Sequence, residues 1–435
     1  MTLARVAVLS VGDELVLGQI EDTNASWIAR ALQAIGRMPG ERRTIADDCA
    51  RLAAALGELS STHDAVVVTG GLGPTRDDLT RDALRDLIDP GTMLEEDPIG
   101  IEHLRSWFER RGRPMPESNL RQAMRPRSAR LLPNPNGTAP GLAAQLANGC
   151  TIFCLPGPPN EMRPMFDGSV APELRDASRV VLTTALHTIG LGESAIGEQL
   201  GELMARDREP SVGTTASDGV VSIRIRATGT PAEARRQLDA TVELCRARVG
   251  DIVFARDGET LASVVGEMLQ TRGHTLATAE SCTGGLLGAM MTEVAGASAW
   301  YRGGFIAYEN RRKVEDLGVD PGLIAAFGAV SHEAAMAMAH GALRRAGSDL
   351  ALATTGIAGP GGGSQDKPVG TVYVALAQRG TGIFSRRFHF PGDRATIRSR
   401  TARLALACAR FTLLGVPTKA LLWSEAEAVR VQPCP

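Results

Sequence analysis

The segment at residues 278–285, TAESCTGG, places a serine, a cysteine and a threonine directly before two glycines. These side chains suit covalent chemistry, but a serine hydroxyl is a weak nucleophile until a nearby base removes its proton. We predict that Ser281 is the nucleophile. Cys282 is the rival, although no histidine stands in this segment to activate its thiol, and a small buried apolar role is the other interpretation of that residue.

The base that Ser281 needs is predicted to be a lysine. Of the 47 lysines and arginines in the chain, only Lys313, Lys367 and Lys419 are lysines. Guanidinium does not deprotonate in proteins, whereas a desolvated ammonium can. Lys313 follows a strand-like run that ends at Tyr308, so we predict a serine and lysine pair with Tyr308 as a proton relay. An ordinary charge on a helix surface is the alternative for Lys313.

A second set of candidate residues lies in the first third of the chain. The glycines of TGGLGPTRDDLT, residues 69–80, allow backbone N–H groups to approach phosphate oxygens, and Asp77 and Asp78 are suited to a divalent cation that bridges a diphosphate. Three further runs are predicted to wall the same pocket, or else are ordinary turns and helix caps: GDEL, NPNGTAPG and LPGPPNEM, at residues 12–15, 134–141 and 155–162.

The elements that must position these residues are short β-rich apolar runs that alternate with amphipathic helical stretches. This pattern predicts α/β domains at both ends of the chain, with a mainly parallel sheet in the first, and a small α+β unit between them. Ligands of open α/β sheets bind beyond the carboxyl ends of the strands, where the candidate segments stand. We predict domains at residues 1–170, 171–255 and 256–416 and a frayed tail at 417–435.

Two further expectations concern the C-terminal α/β region. The turn after the strand HTLATAE is predicted to leave the N–H groups of the following helix free to stabilise an oxyanion. The glycine-rich run at residues 354–370, TTGIAGPGGGSQDKPVG, is predicted to embrace a phosphate, and a mobile surface loop is the alternative.

Composition narrows the class of protein. A formal net charge of −2 and 43% hydrophobic residues favour a small-molecule substrate over nucleic acid. The seven cysteines are scattered without a CxxC pair, which argues against a disulfide framework and a zinc site. No apolar run is long enough to cross a membrane, so a cytoplasmic protein with neither membrane nor nucleic-acid partners is predicted.

The quoted motifs resemble those of the competence/damage-inducible CinA family over nearly the whole chain. GDELVLGQIEDTN, TGGLGPTRDDLT and LPGPPNEM resemble its molybdopterin-binding, MogA- and MoeA-like domain. AESCTGG, GFIAYENRRK, GAVS and TTGIAGPGGGSQDKPVGTVYVA resemble its nicotinamide-nucleotide amidase domain. The middle segment is similar to the KH-like domain of full-length members, but it has no GxxG loop with basic flanks and gives no argument for RNA binding.

For the C-terminal domain, the resemblance implies hydrolysis of nicotinamide mononucleotide to nicotinate mononucleotide and ammonia, without a cofactor. Ser281 would be the nucleophile, Lys313 the base that later protonates ammonia, and Tyr308 a relay. Thr355 would contact the ligand or the oxyanion. The implied substrate-binding residues, with the arginines at the phosphate, are Gly284, Gly285, Gly359, Gly361, Arg394 and Arg398.

For the N-terminal domain, the resemblance implies a metal-dependent ADP-ribose pyrophosphatase that releases AMP and ribose 5-phosphate. Asp77 and Asp78 would hold Mg²⁺, Mn²⁺ or Co²⁺. The implied phosphate site consists of Asp13, Gly70, Gly71, Gly73 and Thr75. A homodimer is also implied. The alternative for the whole chain is a regulatory protein of competence or the DNA-damage response, whose pockets bind a pterin or a nucleotide without turnover.

Overall fold

The computed structural model describes residues 5–176, 178–416, 421–425 and 428–431. The chain divides into two compact units, which are described separately. The first comprises Met1–Leu182 with Ala227–Gln237, and the second comprises Thr183–Arg226 with Leu238–Pro435. Most of the predicted middle domain therefore belongs to the same unit as the predicted C-terminal domain.

The first unit contains a six-stranded sheet with helices on both faces. Its elements, in chain order, are β1 (Arg5–Val11), α1 (Asp13–Val16), α2 (Thr23–Ala34), β2 (Met38–Ile45), α3 (Cys49–Thr62), β3 (Ala65–Thr69), α4 (Thr80–Ile88), β4 (Glu95–Glu96), α5 (Pro98–Glu109), β5 (Met124–Arg125), β6 (Arg130–Leu132), β7 (Gly141–Gln145), β8 (Thr151–Leu155), α6 (Pro159–Met165) and α7 (Ala171–Leu174).

The strand order β2-β1-β3-β8-β7-β6 explains where a ligand can bind in this sheet. Strands β2, β1, β3 and β8 are parallel, while β7 and β6 run antiparallel at one edge. The strand AVVVT of β3 is buried at every residue, as expected for a strand covered on both faces. The order reverses at β1, because the chain moves outward to β2 and then back to β3, and such a reversal opens a crevice at the carboxyl ends.

The second unit begins with a four-stranded sheet in the order β10-β11-β9-β12. Strands β10 and β11 form a hairpin whose two-residue turn is Asp218-Gly219. Helices α8 and α9 complete this part, which has the predicted α+β character. Its elements are β9 (Val180–Ile189), α8 (Glu193–Leu200), β10 (Ser211–Ser217), β11 (Val220–Gly229), α9 (Pro231–Val249) and β12 (Val253–Arg256).

A second six-stranded sheet, in the order β14-β13-β15-β16-β17-β18, forms the rest of the second unit. Strands β14, β13 and β15 are parallel, and the remaining three are antiparallel. Its elements are α10 (Leu261–Arg272), β13 (Leu276–Glu280), α11 (Leu286–Thr292), β14 (Tyr301–Ile306), α12 (Asn310–Leu317), α13 (Pro321–Phe327), α14 (His332–Ala346), β15 (Leu350–Gly356), β16 (Thr371–Gln378), β17 (Gly382–His389), α15 (Arg394–Leu414) and β18 (Val429–Val431).

The prediction of a frayed tail after residue 416 is wrong for the residues that the structure describes there. Strand β18 pairs with β17, and the ring of Trp423 packs edge-on against Phe390 with centroids 5.7 Å apart. The Trp423 carbonyl also accepts a hydrogen bond from the His389 amide. The aromatic packing that orders this segment involves distant residues, which a local composition argument does not detect. Residues 417–420, 426–427 and 432–435 of the predicted tail lie outside the described residues.

Candidate functional site

The C-terminal site begins at the turn that follows β13. Ser281 is the first residue after that strand, and its amide donates to the Thr354 carbonyl at 2.9 Å. The end of β14 is joined to β13 in the same way, because the Ala307 amide donates to the Glu280 carbonyl at 2.9 Å. The carboxyl ends of β13, β14 and β15 therefore meet around Ser281, where the strand order reverses.

Lys313 is buried beside this turn. Its side chain is on α12, the residue is only 1% exposed, and Nζ donates to the Tyr308 carbonyl at 3.0 Å. No carboxylate of the described residues forms an ion pair with it. Burial disfavours the charged amine and lowers the pKa of Lys313, which is the property that a lysine base requires.

The backbone pairing connects the segments of the predicted nucleophile and base at the same end of the sheet. Ala307 is bonded to Glu280, the residue before Ser281, and Lys313 is bonded to Tyr308, the residue after Ala307. The Lys313 amine, which extends from α12, is therefore bound to the segment that follows β14, and Ser281 follows the neighbouring strand β13. The Lys313 ammonium also acts on the pKa of Cys282, the residue after Ser281.

The N-terminus of α11 does not offer the free N–H groups that the sequence predicted. Glu280 is 1% exposed, and its carboxylate accepts hydrogen bonds from the amides of Gly285, Leu287 and Gly288 at 2.9, 3.0 and 2.7 Å. The prediction is wrong because a buried acid at the end of β13 satisfies the helix itself. Within the described chain, the amides of Cys282 and Thr283 donate to no oxygen and interact only with the Cys282 sulfur, which is a weak acceptor, so they are the remaining candidates for an oxyanion.

Cys282 has the environment of a core residue. It is 5% exposed and packs in the hydrophobic cluster that includes Leu287 and Met291. Burial, with a smaller effect of Glu280, raises the pKa of its thiol to about 12. A thiol of this kind is almost entirely protonated near neutral pH and is a poor nucleophile, so the geometry favours the packing interpretation.

Arg394 and Arg398, in the first turns of α15, form hydrogen bonds to three segments that surround the C-terminal site. Arg394 donates to the Tyr308 hydroxyl at 2.7 Å and to the Gly359 carbonyl at 2.9 Å. Arg398 donates to the Thr283 carbonyl at 2.7 Å, and its guanidinium also lies near Gly284. Gly284 and Gly285 have φ angles of +59° and +94°, which a residue with a side chain rarely adopts.

The Tyr308 ring is 57% exposed, and its hydroxyl contacts Arg394, while the Lys313 amine contacts the Tyr308 backbone carbonyl. The structure thus brings all three residues together. The tyrosine hydroxyl accepts a hydrogen bond from the arginine and retains its own proton, which it can donate.

The glycine-rich loop at residues 357–370 is fastened to its surroundings. Lys367 donates to the carbonyls of Val330 and Phe327 at 2.7 and 3.2 Å, and Arg387 donates to the Asp366 carbonyl at 2.9 Å. These contacts disfavour a mobile loop. Thr355, before the loop, uses its hydroxyl proton on the Ala329 carbonyl at 2.7 Å, so its predicted ligand contact would be as an acceptor. No heavy atom lies within 4 Å of a Cβ placed on Gly361, which is in the open part of the loop.

The N-terminal cavity lies at the carboxyl ends of β1 and β3 and has a volume of about 440 Å³. Backbone of the predicted phosphate loop, including Gly70, Gly71 and Gly73, forms one wall. The side chains around it are dominated by carboxylates, which are Glu14, Asp47, Asp77, Asp78 and Glu161. The segments LPGPPNEM, NPNGTAPG and GDEL all contribute lining residues, as the sequence predicted.

Asp78 organises the phosphate loop. Its carboxylate accepts from the Gly73 amide at 2.6 Å, from the Thr75 amide at 2.8 Å and from the Thr75 hydroxyl. A side chain at Gly73 would collide with that carboxylate. The predicted role of Asp78 as a metal ligand therefore competes with three hydrogen bonds inside the loop. The Thr75 hydroxyl, predicted to belong to the phosphate site, donates its proton to Asp78.

Asp13 and Asp47 hold the ends of β1 and β2 together. The Asp13 amide donates to the Asp47 carboxylate at 3.0 Å, and the Asp47 amide donates to the Asp13 carboxylate at 3.1 Å. Burial raises the pKa of Asp47, and the nearby carboxylates of Asp13, Glu14 and Asp77 raise it further. A cation in this cavity would relieve that repulsion.

The residues around the N-terminal cavity fit a divalent cation only in part. In the described portion of the chain, no three His, Cys, Asp or Glu side chains are grouped closely enough to hold a metal ion. Mg²⁺ commonly takes one or two protein carboxylates and completes its shell with water and substrate phosphates. Asp77 and Asp47 are the carboxylates suited to such a site, because Asp78 is engaged within the loop.

Comparisons with known proteins identify the family. Three family models match the chain, namely the probable molybdopterin binding domain at residues 7–176, the damage-inducible protein CinA KH domain at 183–255 and the CinA C-terminal domain at 258–413. A CinA-like protein of Geobacter metallireducens is 44% identical over 94% of this chain and 99% of its own length. The chain belongs to the CinA family.

A second relative from the same genus agrees with this assignment. A CinA-like protein of Geobacter sulfurreducens is 43% identical over 94% of this chain and 99% of its own. The crystal structure of the competence/damage inducible protein CihA from Agrobacterium tumefaciens covers 35% of this chain and 93% of that one, with 42% identity and a TM-score of 0.35. The resemblance that the motifs indicated is confirmed, together with the α/β fold class. Among the described residues, no helix has the length and apolar character needed to span a bilayer.

Sequence reasoning missed several residues that shape the two sites of this CinA protein. Glu280 stands inside the quoted motif as the acid that ends a buried strand, and Lys367 is one of the three lysines, so both carried a signal. Asp47 and Glu161 had weaker signals, since acidic residues are common near helix starts. Their position in the N-terminal cavity depends on which strands are neighbours in the sheet, which the local sequence does not state.

Proposed function

We propose that the C-terminal site hydrolyses the carboxamide of nicotinamide mononucleotide to nicotinate mononucleotide and ammonia. The observation that carries this proposal is the buried Lys313 amine, which has a lowered pKa, lacks a carboxylate partner among the described residues and donates to the Tyr308 carbonyl, just after the strand next to the one that precedes Ser281. A serine hydroxyl next to a neutral amine is an established arrangement for attack on an amide carbon.

In the proposed reaction, the Ser281 oxygen attacks the carboxamide carbon while Lys313 takes the hydroxyl proton. The C–N bond then breaks, Lys313 returns that proton to the departing nitrogen, and ammonia leaves an ester on Ser281. A water molecule, deprotonated by the same amine, hydrolyses the ester to the carboxylate and restores the serine. The overall change adds one water and releases one ammonia, so no cofactor is needed.

Two features of the site support the charge changes in this reaction. The amides of Cys282 and Thr283 are suited to the oxyanion, because Glu280 already accepts the following amides of the turn and helix. Arg394 uses two of its guanidinium contacts on Tyr308 and Gly359 and retains further N–H groups for the substrate phosphate.

The decisive experiment measures ammonia release from nicotinamide mononucleotide by the wild type and two variants. Ser281→Ala and Lys313→Arg should each lose about 10²- to 10⁴-fold in kcat, because the first removes the nucleophile and the second keeps the charge but does not transfer the proton. Arg311→Gln is a matched control on α12, since Arg311 is exposed and its one ion pair within the described part of the chain is with Glu315. Full activity in either active-site variant would remove the mechanism.

We also propose that the N-terminal cavity hydrolyses the diphosphate of ADP-ribose to AMP and ribose 5-phosphate with the help of a divalent cation. The support is the set of carboxylates that line a cavity walled by phosphate-loop glycines. The cation would polarise the diphosphate and screen its charge, with Asp77 and Asp47 holding it. Asp13 would keep Asp47 in place through the reciprocal hydrogen bonds at the strand ends.

This second proposal is tested by AMP release from ADP-ribose in the presence of Mg²⁺, Mn²⁺ or Co²⁺. Asp77→Asn and Asp47→Asn should lower the rate and raise the metal concentration needed for half-maximal activity. Asp86→Asn is the control, because Asp86 is an acid of the same domain that pairs with Arg85. Binding of the nucleotide without turnover at any of these metals would instead favour the non-catalytic regulatory function. The homodimer stays a prediction, which sedimentation would test.

A further inference from the structure

The turn between β10 and β11 has a geometry that makes one aspartate protrude. Asp218 and Gly219 have φ angles of +51° and +84°, and β10 pairs with β11 up to Ser217 and Val220. Positive φ at both central residues is the signature of a two-residue type I′ turn, for which Asp-Gly and Asn-Gly are the favoured sequences. The Asp218 side chain is therefore presented at the tip of a rigid hairpin.

Three residues of α15 contact that side chain, namely Ser399, Arg400 and Arg403. Ser399 donates its hydroxyl to the Asp218 carboxylate at 2.7 Å, and Arg403 forms a hydrogen-bonded ion pair with the same oxygen. Arg403 also donates to the Asp218 backbone carbonyl at 3.2 Å, and Arg400 lies 3.5 Å from the second carboxylate oxygen. One acidic residue thus contacts three side chains on one face of a helix.

A second contact fixes the same turn. A Cβ on Gly219 would lie 3.0 Å from the Trp423 ring, so the backbone of the turn rests against that ring. The Arg400 guanidinium stacks on the same Trp423 ring, 4.6 Å from its centroid. The hairpin tip is consequently held by both ionic and aromatic contacts and is not a freely exposed loop.

The helix that receives the hairpin is the one that carries the arginines of the C-terminal site. Arg394 and Arg398 lie one turn apart in the first two turns of α15, directly before Ser399. They reach Tyr308, Gly359 and Thr283, as described above. Because an α-helix is stiff over two or three turns, a contact that fixes residues 399–403 also limits the movement of residues 394–398.

We propose that Asp218 is a positioning residue for the amidase, through which the hairpin of the KH-like domain holds α15 so that Arg394 and Arg398 meet the substrate phosphate. This inference rests on the proposed amidase function. It assigns the KH-like domain a role in substrate binding at the neighbouring site, in place of a role toward nucleic acid. Ser281 and Lys313 lie on other elements, so the chemical step itself should not depend on the hairpin.

The test compares Asp218→Asn with the wild type on nicotinamide mononucleotide and on nicotinamide riboside, which lacks the phosphate. Asparagine keeps the turn geometry but removes the charge, so misfolding is not expected. The KM for the mononucleotide should rise about three- to tenfold, with kcat within about twofold, and the kinetics on the riboside should not change. Arg224→Gln is the control, because Arg224 lies on the same hairpin and its side chain donates, among the residues that the structure describes, to Thr215 alone.

Two kinetic results for Asp218→Asn would contradict the proposal. An unchanged KM for the mononucleotide, or an equal loss of kcat on both substrates, would overturn the proposal, because the second result would indicate a general scaffold role. Arg403→Gln should raise the same KM, and the double variant should show less than the sum of the two effects. Additive effects would argue that the two residues act separately.

A failure of the amidase proposal would be recognised separately, since the wild type would then release no ammonia. Hydrogen exchange tests the contact without any substrate. The amides of residues 394–403 should exchange several-fold faster in Asp218→Asn than in Arg224→Gln. Equal exchange in the two variants would show that the hairpin does not hold α15, whatever the site catalyses.

Discussion

The two sites of this CinA protein lie at corresponding places in their sheets, but the side chains around them carry opposite charge. The C-terminal site has the guanidinium groups of Arg394 and Arg398, and the N-terminal cavity has five carboxylates. The proposed ligand of each is a phosphate ester or diphosphate. The C-terminal site can therefore bind its ligand directly, whereas the N-terminal cavity needs a cation between two sets of negative groups.

In each site, one acid is used to organise backbone and not to bind a ligand. Glu280 accepts three amides of the turn and helix after β13, and Asp78 accepts two amides and a hydroxyl of the loop after β3. Both acids stand beside glycines that give the backbone its shape. The comparison shows that an acid in a glycine-rich motif can be a structural anchor, and that only the hydrogen-bond partners distinguish this role from a catalytic one.

The largest expected difference between the two sites is their response to metal removal. A chelator such as EDTA should lower AMP release from ADP-ribose about 10³-fold, because the carboxylates of the N-terminal cavity repel the diphosphate when no cation is present. Ammonia release from nicotinamide mononucleotide should be unchanged in the same sample. Restoration of AMP release by excess Mn²⁺ is the control, and equal inhibition of both activities by the chelator would contradict the comparison.

The next effect is a pH dependence that belongs to the C-terminal site. The pKa of Lys313 is lowered by burial, and only the neutral amine acts as a base. The kcat/KM for ammonia release should therefore rise about tenfold per pH unit below that pKa and level off above it, at a pH lower than an exposed lysine would give. The absence of this rise down to the lowest pH at which the protein stays folded, measured at constant ionic strength, would exclude Lys313 as the base.

The fold was largely predictable from the sequence because each strand carries its own signal. HTLATAE and HDAVVVTGG are apolar runs that end in polar or glycine residues, and they correspond to β13 and β3. What the sequence did not reveal were pairings between distant segments. The antiparallel half of the second large sheet and the order given to the tail by Trp423 depend on such pairings.

The candidate sites were predictable to a similar extent. The environment of Lys313 agrees with the reasoning from the scarcity of lysine, since this side chain is nearly inaccessible to solvent. The free helix amides and the metal-ligand role of Asp78 were less predictable. Both questions depend on where a carboxylate points, and a carboxylate on a flexible side chain can reach several partners that the linear sequence does not rank.

The third prediction concerns the buried acid of the C-terminal site. Glu280→Gln keeps the shape of the side chain but replaces one carboxylate oxygen by an amide nitrogen, so at least one of the three backbone N–H groups loses its acceptor. We expect a loss of about 2 kcal/mol in the free energy of unfolding, measured by urea denaturation. The control is Glu293→Gln, a substitution at the exposed end of α11. A stability equal to the wild type would show that the amides find other acceptors.

The smallest effect is expected at Cys282, and it separates the two candidate nucleophiles. Its thiol has a pKa raised to about 12 by burial, so iodoacetamide at pH 8 should label it slowly in the folded protein. Cys282→Ala removes one buried sulfur and should keep kcat for ammonia release within about threefold, with a modest loss of thermal stability. Ser281→Ala in the same assay provides the contrast. Loss of activity in Cys282→Ala at unchanged stability, together with inactivation by alkylation of that thiol, would make the cysteine the nucleophile.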